Sequence, residues 1–171
     1  MPSSVRKQIK ECQIILSKTE AKLTFVNPAC AHITLKFIGE VDPSLLEPII
    51  VALCTIRFSS FPYQVTGVGA NNLRSPRVIW ATVQDGGACA LLHRQLEDAL
   101  ATLGIARDGR AFTPHTTLAR VKRPHLSLIP ALKHLSQKHL GEGEAIGIRL
   151  KKSTLLPSGP LYEDLLEVRS I

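Results

Sequence analysis

Two histidines occur in the same short pattern, His32-Ile33-Thr34-Leu35 and His115-Thr116-Thr117-Leu118. On an extended strand, residues i and i+2 project from one face. Each copy therefore presents an imidazole beside a hydroxyl, with the leucine turned toward a core. That combination suits hydrolysis of a phosphodiester. A base must take a proton from the attacking water, and an acid must protonate the leaving oxygen. Imidazoles titrate near neutrality, so two of them on opposite sides of one phosphorus do both jobs without a metal. Each threonine hydroxyl can donate to a non-bridging oxygen and stabilise the pentavalent transition state.

The two copies stand 83 residues apart, and the match continues at that offset. Ser44 aligns with Ser127, Leu45 with Leu128, Leu46 with Ile129, and Ile49 with Leu132. An offset near half the chain length implies two copies of one strand–helix–strand unit. Two lobes facing across a cleft would bring the histidines together at a pseudo-twofold axis. The expected organisation is one domain, residues 1–171, with motif halves at about 20–85 and 105–171.

Apolar periodicity places the elements. Val5, Ile9, Cys12 and Leu16 form one stripe, which predicts a helix over Pro2–Thr19. Leu23–Val26 reads as a short strand. In His32–Ile38, Ile33, Leu35 and Phe37 alternate with His32, Thr34 and Lys36, which predicts a strand with Phe37 in the core. Asp42-Pro43 then starts a helix running to about Arg57. Strands follow at Tyr63–Val68 and Arg77–Val83, joined by the loop Gly69–Pro76. A helix spans Gly87–Leu103, a strand His115–Val121, and a helix Pro124 to about His139. Gly141–Gly143 reads as a turn. Strands at Gly147–Leu156 and Leu161–Arg169 flank Pro157-Ser158-Gly159-Pro160.

Composition narrows the class. With 171 residues, 44% of them hydrophobic and 20% charged, the chain is globular rather than disordered. No apolar run reaches membrane-spanning length, and no signal-peptide core follows the first charges. Cys12, Cys30, Cys54 and Cys89 show no metal-binding spacing and read as reduced, mostly buried thiols. These features give the expectation of a cytoplasmic monomer without metal or cofactor. The net charge of +7 suits a polyanionic partner but does not identify one.

The chain resembles the two-histidine (2H) phosphoesterase superfamily through its paired HxTL motifs. HITLKFIGEV (His32–Val41), PRVIW (Pro76–Trp80), TPHTTLAR (Thr113–Arg120) and LLPSGPLY (Leu155–Tyr162) are similar to the bacterial and archaeal RNA 2′,3′-cyclic phosphodiesterases, also called 2′–5′ RNA ligases. The resemblance implies an α+β fold: two pseudo-twofold lobes, antiparallel sheets lining a central cleft, and helices outside. It implies hydrolysis of RNA 2′,3′-cyclic phosphate ends to 2′-phosphates, with reversible 2′–5′ ligation. It makes His32 the proton donor to the 3′-oxygen and His115 the acceptor from water, with Thr34 and Thr117 on the phosphate. Arg120 adds a cation, although strict alternation turns it away from the face of His115 and Thr117.

The family opens with a hydrophobic strand before its first helix. Here Met1-Pro2 leads straight into the helix, so that strand is expected to be missing. Trp80 and Tyr162 are candidates for base stacking. Arg77, with Arg74, Arg107, Arg110, Arg120, Lys122 and Arg123, is a candidate for phosphate contacts along an RNA groove. The competing readings are a non-catalytic nucleotide- or RNA-binding module, and a 2H phosphoesterase for a small cyclic nucleotide. A binding module has no need of both histidines and both threonines.

Overall fold

The computed structural model describes residues 1–156 and 159–171, without the side chains of 155–161. Its elements are α1 (Ser3–Ser17), β1 (Lys22–Phe25), α2 (Leu46–Cys54), β2 (Phe61–Ala70), β3 (Val78–Gln84), α3 (Ala88–Ala101), β4 (His115–Arg123), α4 (Leu128–Leu135), β5 (His139–Ala145), β6 (Gly147–Leu156) and β7 (Gly159–Arg169). Short 3-10 turns at Pro28–Cys30 and Pro43–Leu45 follow Asn27 and Asp42, whose side chains accept from Ala29 N–H and Ser44 N–H. Pro157 and Ser158, in the expected break, lie outside the described residues.

Two compact units form, each from three stretches of chain. The first comprises Met1–Leu35, Pro62–Gly87 and Thr113–Gly143. It is built on a five-stranded sheet in the order β1-β4-β3-β2-β5, antiparallel from β1 through β2. The expected stripe Val5, Ile9, Cys12 and Leu16 is buried, and α1 packs on β4 and α4. The sheet contributes Val65, Val68, Ile79, Ala81, Val83, Leu118 and Ala119 to that core. Burial of these side chains is the main source of the unit's stability, at roughly 1.5–3 kcal/mol for each large one.

The second unit comprises Lys36–Phe61, Ala88–Phe112 and Glu144–Ile171. It contains α2, α3 and the antiparallel hairpin β6-β7. Its ends are tied where Ile171 N–H donates to Phe58 O at 3.0 Å.

Five expectations need correction. Residues 32–38 belong to neither sheet, although their apolar alternation predicted a strand. A strand is stable only with ladder partners. β4, its counterpart, has β1 and β3 on its two sides. Phe37 consequently misses the core and is 74% exposed.

The helix expected to run to about His139 ends at Leu135, and the expected turn at Gly141–Gly143 lies inside β5. Gly141 and Gly143 read as turn signals, but each sits where a side chain would meet Val5 or Tyr63. The φ of +123° at Gly141 and the close approach of Tyr63 at Gly143, not a turn, account for glycine there. Finally, only Cys12 and Cys89 are buried; Cys30 and Cys54 are exposed.

Candidate active site

Both motifs hold their histidines by the same local device. The His32 Nδ1 lies 2.8 Å from the Cys30 carbonyl, and the His115 Nδ1 lies 2.7 Å from the Thr113 carbonyl. A carbonyl only accepts, so Nδ1 carries the hydrogen in each ring. That leaves Nε2 of both imidazoles for proton transfer. The 3-10 turn Pro28–Cys30 supplies the first carbonyl. The second lies just before Pro114, whose own carbonyl accepts from Val83 N–H at 3.0 Å.

In β4 the expected alternation holds at the motif. His115 and Thr117 are half-buried on the open face, while Thr116 and Leu118 point into the core. His115 pairs with Thr82 of β3, and Thr117 with Trp80. Trp80 therefore lies on the histidine's face, and its ring packs on His115 with centroids 4.5 Å apart. Ile79, Ala81 and Val83 fill the opposite face.

Beyond Thr117 the alternation breaks, and this reverses the expectation for Arg120. Trp80 pairs with Thr117, but the next residue back, Ile79, pairs with Ala119. Leu118 is an extra residue, a β-bulge that re-aims everything after it. Ala119 is buried beside Ile79, and Arg120 pairs with Val78 on the open face. Arg120 is thus exposed on the side of His115 and Thr117 and, among the described residues, forms no ion pair.

His32, Thr34, His115, Thr117, Trp80, Arg77 and Arg120 all belong to the first unit. Arg77 is exposed at the mouth of β3; its carbonyl accepts from Val121 N–H and its own N–H donates to Asn71 Oδ1. Tyr162 is in the second unit, on β7 opposite Ser153, and 40% exposed. Arg107, from the basic set, is paired with Asp98 in that unit at 2.7 Å.

Two features went unread in the sequence. Lys36, directly after the first motif, is buried with its Nζ 2.5 Å from Glu97 and 3.2 Å from Asp108, and it donates to Ala106 O at 2.8 Å. Glu97, Asp108 and His93 cluster closely enough to hold a metal ion. The Lys36 ammonium already supplies the cation for both carboxylates. The second feature is Gln13, buried in α1, whose Nε2 donates to Val26 O at 2.6 Å and Leu118 O at 3.0 Å. Its signal was its place four residues after Ile9 and three before Leu16, on the buried face of the helix.

The LigT-like phosphoesterase family model matches residues 1–80 and 84–162. An RNA 2′,3′-cyclic phosphodiesterase of Archaeoglobus fulgidus is 37% identical over 163 residues, covering 95% of this chain and 92% of that protein. One from Aeropyrum pernix is 37% identical over 143 residues, 81% of each. A crystal structure of a Thermus thermophilus protein superposes with a TM-score of 0.83 at 26% identity, over 99% of this chain and 93% of that one. Escherichia coli LigT complexed with 3′-AMP shares the fold, with a TM-score of 0.82 at 23% identity and the same coverage. No helix among the described residues is long and apolar enough to cross a membrane.

Proposed function

The chain belongs to the LigT-like phosphoesterase family, and from that premise we propose that it hydrolyses RNA 2′,3′-cyclic phosphate ends to 2′-phosphates. The observation that carries the reading is the matched pair of Nδ1–carbonyl bonds at His32 and His115. Two imidazoles held alike through Nδ1, with Nε2 as the remaining ring nitrogen of each, suit an acid and a base better than two binding contacts.

In the proposed step, water attacks phosphorus and gives its proton to His115 Nε2. The bond from phosphorus to the 3′-oxygen breaks, and His32, starting as the imidazolium, gives its Nε2 proton to that oxygen. The product carries a 2′-phosphate and a free 3′-hydroxyl. Afterwards His32 is neutral and His115 charged, and exchange with solvent resets both. Thr34 and Thr117 donate to the non-bridging oxygens, and Arg120 balances the charge that accumulates there. Trp80 braces the His115 ring. Replacing water by a 5′-hydroxyl in the same step makes a 2′–5′ linkage. Residues 1–171 act as one catalytic domain of two related lobes, with Arg77 assigned to RNA beyond the reacting phosphate.

The test is regiochemical. An oligonucleotide ended by a 2′,3′-cyclic phosphate should give a 2′-phosphate, and His32→Ala and His115→Ala should each slow this ~10²–10⁴-fold. Formation of a 3′-phosphate, or full activity in either variant, would overturn the assignment.

A further inference from the structure

Gln13 lies on α1, outside the motifs, yet it touches the backbone of both motif-bearing stretches of the first unit. It is 5% exposed, and its carboxamide nitrogen has two hydrogens for two carbonyls. One belongs to Val26, where the chain leaves β1 toward the turn that holds His32. The other belongs to Leu118, the extra residue of the β4 bulge. Val26 N–H also donates to Leu118 O at 3.0 Å, so this oxygen accepts twice.

A bulge removes its extra residue from the regular ladder and leaves that residue's polar groups to find other partners. Without the bulge, strict alternation would put Ala119 on the open face and press Arg120 into the core. The bulge is therefore what aims the guanidinium, and the Gln13 amide fixes the bulge carbonyl. We propose that Gln13 is a positioning residue for the phosphate site. It clamps the Leu118 bulge so that Arg120 stands on the face of His115 and Thr117. The inference rests on the phosphoesterase reading for its chemistry, but its core claim is about holding an anion.

Gln13→Met keeps the volume and removes both donors. If Gln13 aims Arg120, this change should lower kcat/KM for a cyclic phosphate substrate roughly 10- to 100-fold, the effect of losing one charge-assisted contact. In an Arg120→Ala background, the same change should cost less than about threefold, because nothing is left to aim. A glutamine that only stabilises the fold would cost the same factor in both backgrounds, and that result would overturn the proposal. So would a Gln13→Met protein of unchanged kcat/KM.

A second measurement needs neither turnover nor a folded Gln13 variant. On titration with inorganic phosphate, the side-chain amide NMR signals of Gln13 should shift in the wild type and stay still in Arg120→Ala. Signals that stay still in both, or a wild type that binds no phosphate, would contradict the clamp. A wild type that binds phosphate with this response but hydrolyses no cyclic phosphate would leave the clamp standing and refute the proposed function instead.

Discussion

Thr116 and Thr117 are adjacent and chemically alike, and β4 sends them to opposite sides. Thr117 shares the open face with His115, whereas Thr116 is 1% exposed and, among the described residues, its hydroxyl has no hydrogen-bond partner. A buried unpaired hydroxyl costs stability, roughly 1–3 kcal/mol. Thr116→Val should therefore leave kcat within about threefold and keep or raise the melting temperature. Thr117→Val should lower kcat roughly 10- to 1000-fold at little change in stability, since one donor to the developing oxyanion is gone. Steady-state kinetics and thermal melts of the two variants check this; loss of activity in Thr116→Val alone would reverse the faces. At this scale the alternation that sets His115 and Thr117 on one face was legible, and so was the likeness of His32 to His115, which share the Nδ1–carbonyl bond. It was not legible for Arg120, because alternation assumes a regular strand and one extra residue inverts it. Gln13 was hidden by being a polar residue in an apolar stripe.

The two motifs are held by different means. β4 sits in a ladder between β1 and β3, while residues 32–38 join neither sheet among the described residues and contain the Lys36 anchor. Burial alone would make Lys36 shed its proton more easily, but its bonds to Glu97 and Asp108 outweigh this and hold it above the ordinary lysine range. Burial would likewise favour the neutral acid of Glu97, and the bonds from Lys36 and the Asp108 N–H reverse that and hold it below the ordinary carboxylate range. The stabilisation from Glu97 is present above the unfolded value of about 4.3 and is lost as pH falls through the depressed folded value. That from Lys36 is present below about 10.4 and is lost as pH rises through the raised folded value. Lys36→Met strands a buried carboxylate and should cost about 3–5 kcal/mol, with much of it recovered in Lys36→Met/Glu97→Leu. Urea unfolding at neutral pH reads both; a loss under about 1 kcal/mol would mean the anchor is dispensable. Gly67 is a second such point. It is the extra residue of a bulge in β2, at φ +55°, and a Cβ there would lie 2.6 Å from the Ser136 carbonyl oxygen. Helix stripes and the β3 and β4 cores were readable from periodicity. The bulges, the extent of β5 and the missing ladder at 32–38 were not, since each depends on a neighbour distant in sequence.

Across the whole molecule, the repeat at an offset of 83 and the basic charge both bear on substrate. Arg74, Arg77, Arg120, Lys122 and Arg123 of the first unit are all exposed. If they contact RNA backbone, kcat/KM on a long RNA should fall roughly tenfold or more between about 50 and 200 mM salt. A cyclic mononucleotide should show a much shallower dependence, and equal slopes would remove the backbone contacts from the account. The most direct test of the central claim uses an oligonucleotide with a 2′,3′-cyclic phosphate end in excess EDTA. The paired-histidine mechanism predicts that the wild type forms the 2′-phosphate at its full rate, while His32→Ala and His115→Ala each lose ~10²–10⁴-fold. A wild-type rate abolished by EDTA, or a histidine variant as fast as the wild type, would contradict it.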